Sequence, residues 1–323
     1  MLSASLPVMA IATRTSPLAM AQALMVQAQL TVAHGVDDAQ AGFPILGLVT
    51  TGDQITDRAL LEAGGKGLFT RELDRAQLDG QAAFAVHSMK DVPTHLPEGL
   101  ELACVLERED PSDILLTATG PGTLESLPEG ALVGTASLRR QAQALHARPD
   151  LQITLLRGNV GTRLQKLKDG PIAATFLAKA GLKRLGRPEG GWPGLDFSHC
   201  LPAPAQGAIG ITIRSDDKAA RMALAPLNHA PTALSIAAER GILEALDGSC
   251  RTPLAAHAVL DGDRLHLIAE VLKPDGSRRW RMDETRTGIN TLEAARAFGL
   301  SLGQRLRREG GSEVEAILTG AGQ

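Results

Sequence analysis

Tyrosine is absent from this chain of 323 residues, and six Phe and two Trp leave the aromatic share at 2%. Single-stranded nucleic acids are held largely by stacking bases on aromatic rings, so a platform of that kind is nearly impossible to build here. Cysteine is scarce as well. Cys104, Cys200 and Cys250 lie far apart and in no metal-ligand spacing, which excludes a disulfide framework and fits a reducing compartment, the cytoplasm by default. No uncharged apolar run approaches the roughly 18 residues that cross a bilayer. The apolar start from Met1 to Ala12 has no basic residue ahead of it, so neither a membrane span nor a signal peptide is expected. The His residues show no paired spacing on one helix, and no metal is expected. Gly and Pro are not in excess, and 44% hydrophobic against 21% charged residues is the balance of an ordinary globular chain, here long enough for two or three domains.

The charge that is present lies unevenly. The net charge is −3, yet Thr135 to Arg187 holds 11 Lys or Arg against two acids, Asp150 and Asp169. That stretch is +9 and the remainder −12. A basic stretch inside an acidic chain points to a local anion site rather than a polyanion-binding surface, although solvated helix faces would account for about half of these residues.

Local patterns place these charges. Val8 to Thr13 reads as a strand, and Ser16 and Pro17 as N-cap and first position of a helix running to about Val32. Pro44 to Thr50 is a second apolar run, Leu68 to Leu78 is helical, and Ala82 to Val86 is a buried-type strand. After Asp110-Pro111 the pattern restarts: a strand from Ala131 to Thr135, a helix capped by Ser137, a strand from Leu151 to Leu156 and a helix from Asn159 to Lys168. Alternation of this kind implies a largely parallel sheet. Ala208 to Arg214 is a strand that would return to the first sheet and make two lobes. From about Asn228 the order changes to a helix ending near Leu246, three strands (Leu254 to Leu260, Leu265 to Leu272, Arg278 to Thr285) and a helix from Leu292 to Arg308, a small α+β domain.

Arg14, Arg139 with Arg140, and Arg157 with Arg163 fall at or just inside predicted helix starts. Free N–H groups and the positive dipole end already favour anions there, and Arg adds bidentate donors shaped for carboxylate or phosphate. A ligand with several acidic groups follows. Gly64-Gly65-Lys66-Gly67 lacks the spacing and the Ser/Thr of a P-loop and is no ATP site; it is a loop carrying Lys66 over a site, or a plain turn. His87-Ser88-Met89-Lys90-Asp91 follows a buried strand, where α/β sheets bind ligands, so Asp91 is placed for acid, base or cation-stabilising work, or else caps a turn before Pro93. Cys250 sits in a loop beside Arg251, which favours a thiolate, whereas Cys104 lies in a strand-like run and reads as core.

Seven segments together carry a resemblance. They are Thr13-Arg14-Thr15-Ser16-Pro17-Leu18-Ala19, Gly64-Gly65-Lys66-Gly67-Leu68-Phe69, Ala85-Val86-His87-Ser88-Met89-Lys90-Asp91-Val92-Pro93, Gly134-Thr135-Ala136-Ser137-Leu138-Arg139-Arg140-Gln141, Leu156-Arg157-Gly158-Asn159-Val160-Gly161-Thr162-Arg163-Leu164, Ala180-Gly181-Leu182-Lys183-Arg184-Leu185, and Glu239-Arg240 followed by Leu243, Leu246, Gly248, Cys250 and Pro253. In this order the chain resembles, over essentially its whole length, the porphobilinogen deaminase (hydroxymethylbilane synthase) family.

The resemblance implies an α/β fold of two lobes like type II periplasmic binding proteins plus a small α+β C-terminal domain. The divisions expected are 1–107 with 204–226 as the catalytic lobe, 108–203 as the basic lobe, and 227–323 as the third domain. It also implies a covalent dipyrromethane cofactor on Cys250 by a thioether, and joining of four porphobilinogen molecules head to tail, with loss of ammonia, to give hydroxymethylbilane. Asp91 is implied as the catalytic carboxylate. Lys90, Asp91, Ser137, Arg139, Arg140 and Gln206 are implied to bind the cofactor, Arg14, Ser16, Arg157, Arg163 and Arg184 the substrate or growing chain, and Lys66 and Phe69 to belong to an active-site loop. Each pyrrole carries two carboxylates, which gives the basic stretch a purpose.

Two departures stand out. Glu62 lies where some members have Lys, and Ala205 precedes Gln206 where Gly is common, which implies a backbone there with no need of positive φ. The competing readings are a non-catalytic binder of multi-carboxylate ligands, which needs neither Asp91 nor a loop thiol, and a nucleic-acid binder, which the missing aromatics and acidic remainder disfavour. A monomer with no metal, membrane or nucleic-acid partner is expected.

Overall fold

Ser16, Ser137 and Asn159 all start helices in the computed structural model, which describes residues 7–54, 67–247 and 252–320. The Ser16 hydroxyl accepts from Ala19 N at 3.4 Å, that of Ser137 from Arg140 N at 3.4 Å, and Asn159 Oδ1 from Thr162 N at 2.9 Å. Each satisfies one of the N–H groups that a helix start leaves unpaired, and the helices run Pro17–His34, Leu138–Ala147 and Val160–Asp169. Glu62, Lys66 and Cys250 lie outside the described residues.

The described residues pack into two bodies. The first takes in residues up to 54, 67–108 and 208–230. Its sheet has the order Ile45–Leu48, Ile11–Arg14, Phe84–Ser88, Ile209–Arg214, Leu100–Val105. The first three strands are parallel, and Ile209–Arg214 returns antiparallel to both its neighbours. Met9, Ile11, Val26, Phe43, Phe84, Val86, Ile209 and Ile211 form its main core.

The second body takes in 109–207 and 231–320. One of its sheets has the order Gly120–Gly122, Asp113–Thr117, Ala174–Ala178, Leu132–Gly134, Gln152–Thr154, again three adjacent parallel strands, with Asp113–Thr117 antiparallel to both its neighbours. In each sheet four of the five strands run the same way, as the alternation implies, and one, Ile209–Arg214 or Asp113–Thr117, runs against them and makes the sheet mixed. The other sheet is an antiparallel meander, Leu254–Asp261, Arg264–Leu272 and Arg279–Arg286, packed on the helices Ala230–Ala245 and Leu292–Thr319. Those helices approach so closely that a Cβ on Gly299 would lie 1.9 Å from Ala238 O and one on Gly241 2.4 Å from Arg296 O. Polar bonds tie the meander to the rest of this body: Ala256 N donates to Pro202 O at 3.1 Å, and Gln141 Nε2 to Pro274 O at 3.2 Å.

Two helix boundaries shift by three residues or more. The helix read from Leu68 begins at Arg71, since Gly67 (φ 81°) accepts from Thr70 N and Arg71 N and makes 67–70 a turn. The last helix, read to Arg308, resumes after a break at Gly311 (φ 52°) and reaches Thr319, with Arg307 Nη2 on Glu315 Oε2 at 2.8 Å bracing the break.

Candidate active site

Ile11–Arg14 and Phe84–Ser88 are buried, parallel and adjacent, so their carboxyl ends reach the same sheet edge. This brings Arg14, at the end of one strand, to Asp91, in the single 3₁₀ turn Met89–Asp91 that follows the other. The Arg14 guanidinium is held by Asp53, with Nε 3.1 Å from Oδ2 and Nη2 on Oδ1, and lies 4.3 Å from the centre of the Phe69 ring. Thr50 Oγ1 donates to Asp53 Oδ2 at 2.7 Å and fixes that carboxylate in turn. Arg14 Nη1 stands 3.7 Å from Asp91 Oδ2, and this is the one polar partner of the Asp91 carboxylate among the described residues. Arg14, Ser16, Phe69, Ser88, Lys90 and Asp91 line a pocket of about 80 Å³. His87, beneath it, is buried, 3.0 Å from Thr212 Oγ1, and pushed down to about 4 by burial and by Arg14. It is neutral and structural.

A second group lies in the second body, around Asp113, which is fully buried at the start of its strand. Arg139 Nη2 meets Asp113 Oδ2 at 2.7 Å, Arg140 Nη2 meets Oδ1 at 2.7 Å, and Gln206 Nε2 donates to Oδ1 at 2.8 Å. Burial pushes the carboxyl up, but the two guanidinium groups outweigh it and hold Asp113 well below the usual carboxylate range. Arg139 and Arg140 are thus not the open bidentate donors their helix-start positions suggested; a carboxylate of the chain already takes much of their capacity. What remains is specific: Arg139 Nε is buried with no hydrogen-bond partner among the described residues, and so is Arg184 Nε. Arg184 Nη2 donates to Gly207 O at 2.6 Å, and burial pushes this guanidinium down to about 10. Arg163 Nε donates to Gly158 O at 2.8 Å; burial, Arg140 and Arg157 push Arg163 down to about 10, and no carboxylate among the described residues pairs with it. Arg163 and Arg184 are thus desolvated, and Arg163 is also repelled by Arg140 and Arg157, surroundings in which a guanidinium gains most from an anion.

Ala205 overturns an expectation. Its φ is +62°, so the backbone before Gln206 does adopt the left-handed region in spite of the Cβ. The buried Glu239 carboxylate offsets the strain, accepting from Ala205 N at 2.5 Å and from Ala258 N at 2.7 Å. Asp53 and Asp113 were not singled out in the sequence. Neither has a motif of its own, and each is recognisable only through the arginine it meets 39 residues or more than 25 residues away.

The family model "porphobilinogen deaminase, dipyromethane cofactor binding domain" matches residues 9–222, and "porphobilinogen deaminase, C-terminal domain" matches 233–308. The chain is 49% identical over 316 residues to the porphobilinogen deaminase of Caulobacter vibrioides (strain NA1000 / CB15N), covering 95% of this chain and 98% of that protein. It is 48% identical over 316 residues to that of Phenylobacterium zucineum (strain HLK1), with the same shares covered.

Proposed function

The chain belongs to the porphobilinogen deaminase family, and from that premise we propose how its residues divide the work. The reaction is the stepwise condensation of porphobilinogen to hydroxymethylbilane, primed on a covalent dipyrromethane. The observation that carries the assignment of residues is the set of buried guanidinium groups with unmet donors. Arg139 Nε and Arg184 Nε are N–H groups that a ligand carboxylate would satisfy, and the donor set fits a pair of pyrroles bearing acetate and propionate.

Ser137, Arg139, Arg140, Gln206 and, in the first body, Lys90 and Asp91 hold the cofactor. When bound, it supplies the nucleophilic pyrrole α-carbon on which the product is built. Arg14, Ser16, Arg157, Arg163 and Arg184 take carboxylates of substrate and growing chain. Ser16 and Ser137 spend an oxygen lone pair on their helices and keep the O–H to donate. Lys66 and Phe69 belong to the active-site loop, and Cys250 is the attachment point.

Departure of ammonia breaks the aminomethyl C–N bond of porphobilinogen and leaves a cation spread onto the pyrrole N–H. Asp91, whose carboxylate meets only Arg14 Nη1, at 3.7 Å, among the described residues, faces that N–H and stabilises the charge. It donates a proton to the leaving amine and later accepts the α-proton released when the new C–C bond forms. The divisions 1–107 with 204–226, 108–203 and 227–323 are retained as three domains. No described helix is long and apolar enough to cross a membrane, and no group of three metal-ligating side chains occurs among the described residues. We place the enzyme in the cytoplasm, as a monomer without metal or nucleic acid. Asp91→Asn is expected to lower turnover on the order of 10²-fold or more while the chain still folds; near-wild-type turnover would remove Asp91 from this role. A non-catalytic binder would show no turnover with either residue.

A further inference from the structure

Glu270 lies on the central strand of the C-terminal meander and is 1% exposed, yet it is a carboxylate. Its Oε2 accepts from Arg281 Nη1 at 2.7 Å, and its Oε1 accepts from Gln143 Nε2 at 2.7 Å. Gln143, buried on the helix Leu138–Ala147, gives its other amide hydrogen to Leu201 O at 2.9 Å. Both acceptors face the amide nitrogen, so the amide oxygen has to face the other way, where it accepts from Arg139 Nη1 at 2.9 Å. A carboxylate has no donor to offer, so Glu270 selects the same amide orientation as Leu201 O and Arg139 and holds it from the side of the meander. The flipped amide would set its oxygen against Glu270 and Leu201 O, and its N–H₂ against Arg139. Arg139 is then fixed on three sides: Gln143 Oε1, Leu201 O at 2.8 Å and Asp113 Oδ2 at 2.7 Å. Those bonds take three of its five N–H groups, and Nε is the nitrogen left with no partner among the described residues.

We propose that Glu270 is a positioning residue for Arg139: through Gln143 it orients the guanidinium so that Nε–H is presented to a cofactor carboxylate. The C-terminal domain thereby contributes to carboxylate recognition as well as carrying the attachment cysteine. This rests on the reading of Arg139 as a cofactor-carboxylate ligand, and the experiment separates the two.

Full-length apo-protein, produced in a host that makes no porphobilinogen, is given porphobilinogen, and covalent loading is followed by intact mass under denaturing conditions. The variants are Arg139→Leu, Gln143→Leu, Glu270→Gln, and the pair Glu270→Leu with Arg281→Leu, which removes both charges and leaves no buried ion alone. Arg139→Leu is expected to load at least tenfold more slowly. The Glu270→Leu, Arg281→Leu pair is expected to load three- to tenfold more slowly, Glu270→Gln, which keeps an acceptor oxygen, to load near the wild-type rate, and the charge-free pair to add nothing further on the Gln143→Leu background. That non-additivity is not expected of a general loss of stability. Wild-type loading by the charge-free pair, or effects that simply add to those of Gln143→Leu, would overturn the role of Glu270 while Arg139→Leu still reports on the parent reading. Unimpaired loading by Arg139→Leu would overturn both. Thermal melts on the same samples identify a variant that fails to fold, and Glu270→Gln then decides, its single oxygen turned to the buried Gln143 and its N–H₂ to the more exposed Arg281: slow loading in a folded Glu270→Gln protein contradicts the acceptor argument.

Discussion

Asp113 shows how one buried carboxylate can organise several side chains around it. It is fully buried, and its two oxygens take hydrogen bonds from Arg139, Arg140 and Gln206. Replacement by Asn would leave two guanidinium groups with too little negative charge in a dry interior. Loss of one partner from such a group typically costs about 3–5 kcal/mol. Asp113→Asn is therefore expected to lower the urea midpoint markedly and to impair cofactor loading; unchanged stability would mean that the arginines find another counterion. His87 supplies a pH dependence with the opposite partner logic. Its folded value is pushed down to about 4 by burial and by Arg14, against roughly 6.5 in an unfolded chain. Above about pH 6.5 both states are neutral there and stability is intact. As pH falls towards 4 the unfolded chain takes up a proton that the folded one refuses, and stability is lost. Urea midpoints at pH 7 and pH 5 are expected to differ less in His87→Gln than in the parent; an equal difference would show that His87 does not titrate this way.

Secondary-structure elements were the most legible part of the sequence, and the reason is range. Ser16, Ser137 and Asn159 cap helices within three residues of themselves, so local pattern suffices to find them. Ile209–Arg214 was recognisable as a strand by alternation, and its return to the first sheet by topology. The contacts that hold the arginines were not legible, since Gln143 meets Glu270 127 residues away and nothing local marks either. Ala205 failed for a related reason: Glu239, 34 residues on, compensates a conformation that the side chain alone argues against. The last helix, expected to end at Arg308, meets a left-handed glycine at Gly311 and then resumes to Thr319, with Arg307 bonded to Glu315 across the break. At the same scale, the crossing of Ala230–Ala245 with Leu292–Thr319 leaves no room for a methyl group at Gly299. Gly299→Ala is expected to cost about 1–3 kcal/mol by overpacking despite its better helix propensity. A rise in melting temperature would contradict the packing seen at Ala238.

At the scale of the whole molecule, two mixed sheets and an antiparallel meander distribute the chemistry. The first body presents an open carboxylate, Asp91, beside a restrained Arg14. The second body gathers cations that are desolvated and only partly neutralised by its own acids. The excess charge of Thr135 to Arg187, visible in composition, thus has a structural counterpart, though Arg148 serves Asp150 at 2.7 Å and shows that not every cation in the stretch belongs to the site. Such an arrangement suits an enzyme that retains a polyanionic primer while it adds further polyanionic units.

The most direct test of this account is the intact mass, under denaturing conditions, of the full chain expressed in a host that makes haem. The account predicts a chain heavier than its bare sequence by two linked pyrroles, with the extra mass lost in Cys250→Ser. A chain at its bare mass, which porphobilinogen does not convert to the heavier form, would contradict it.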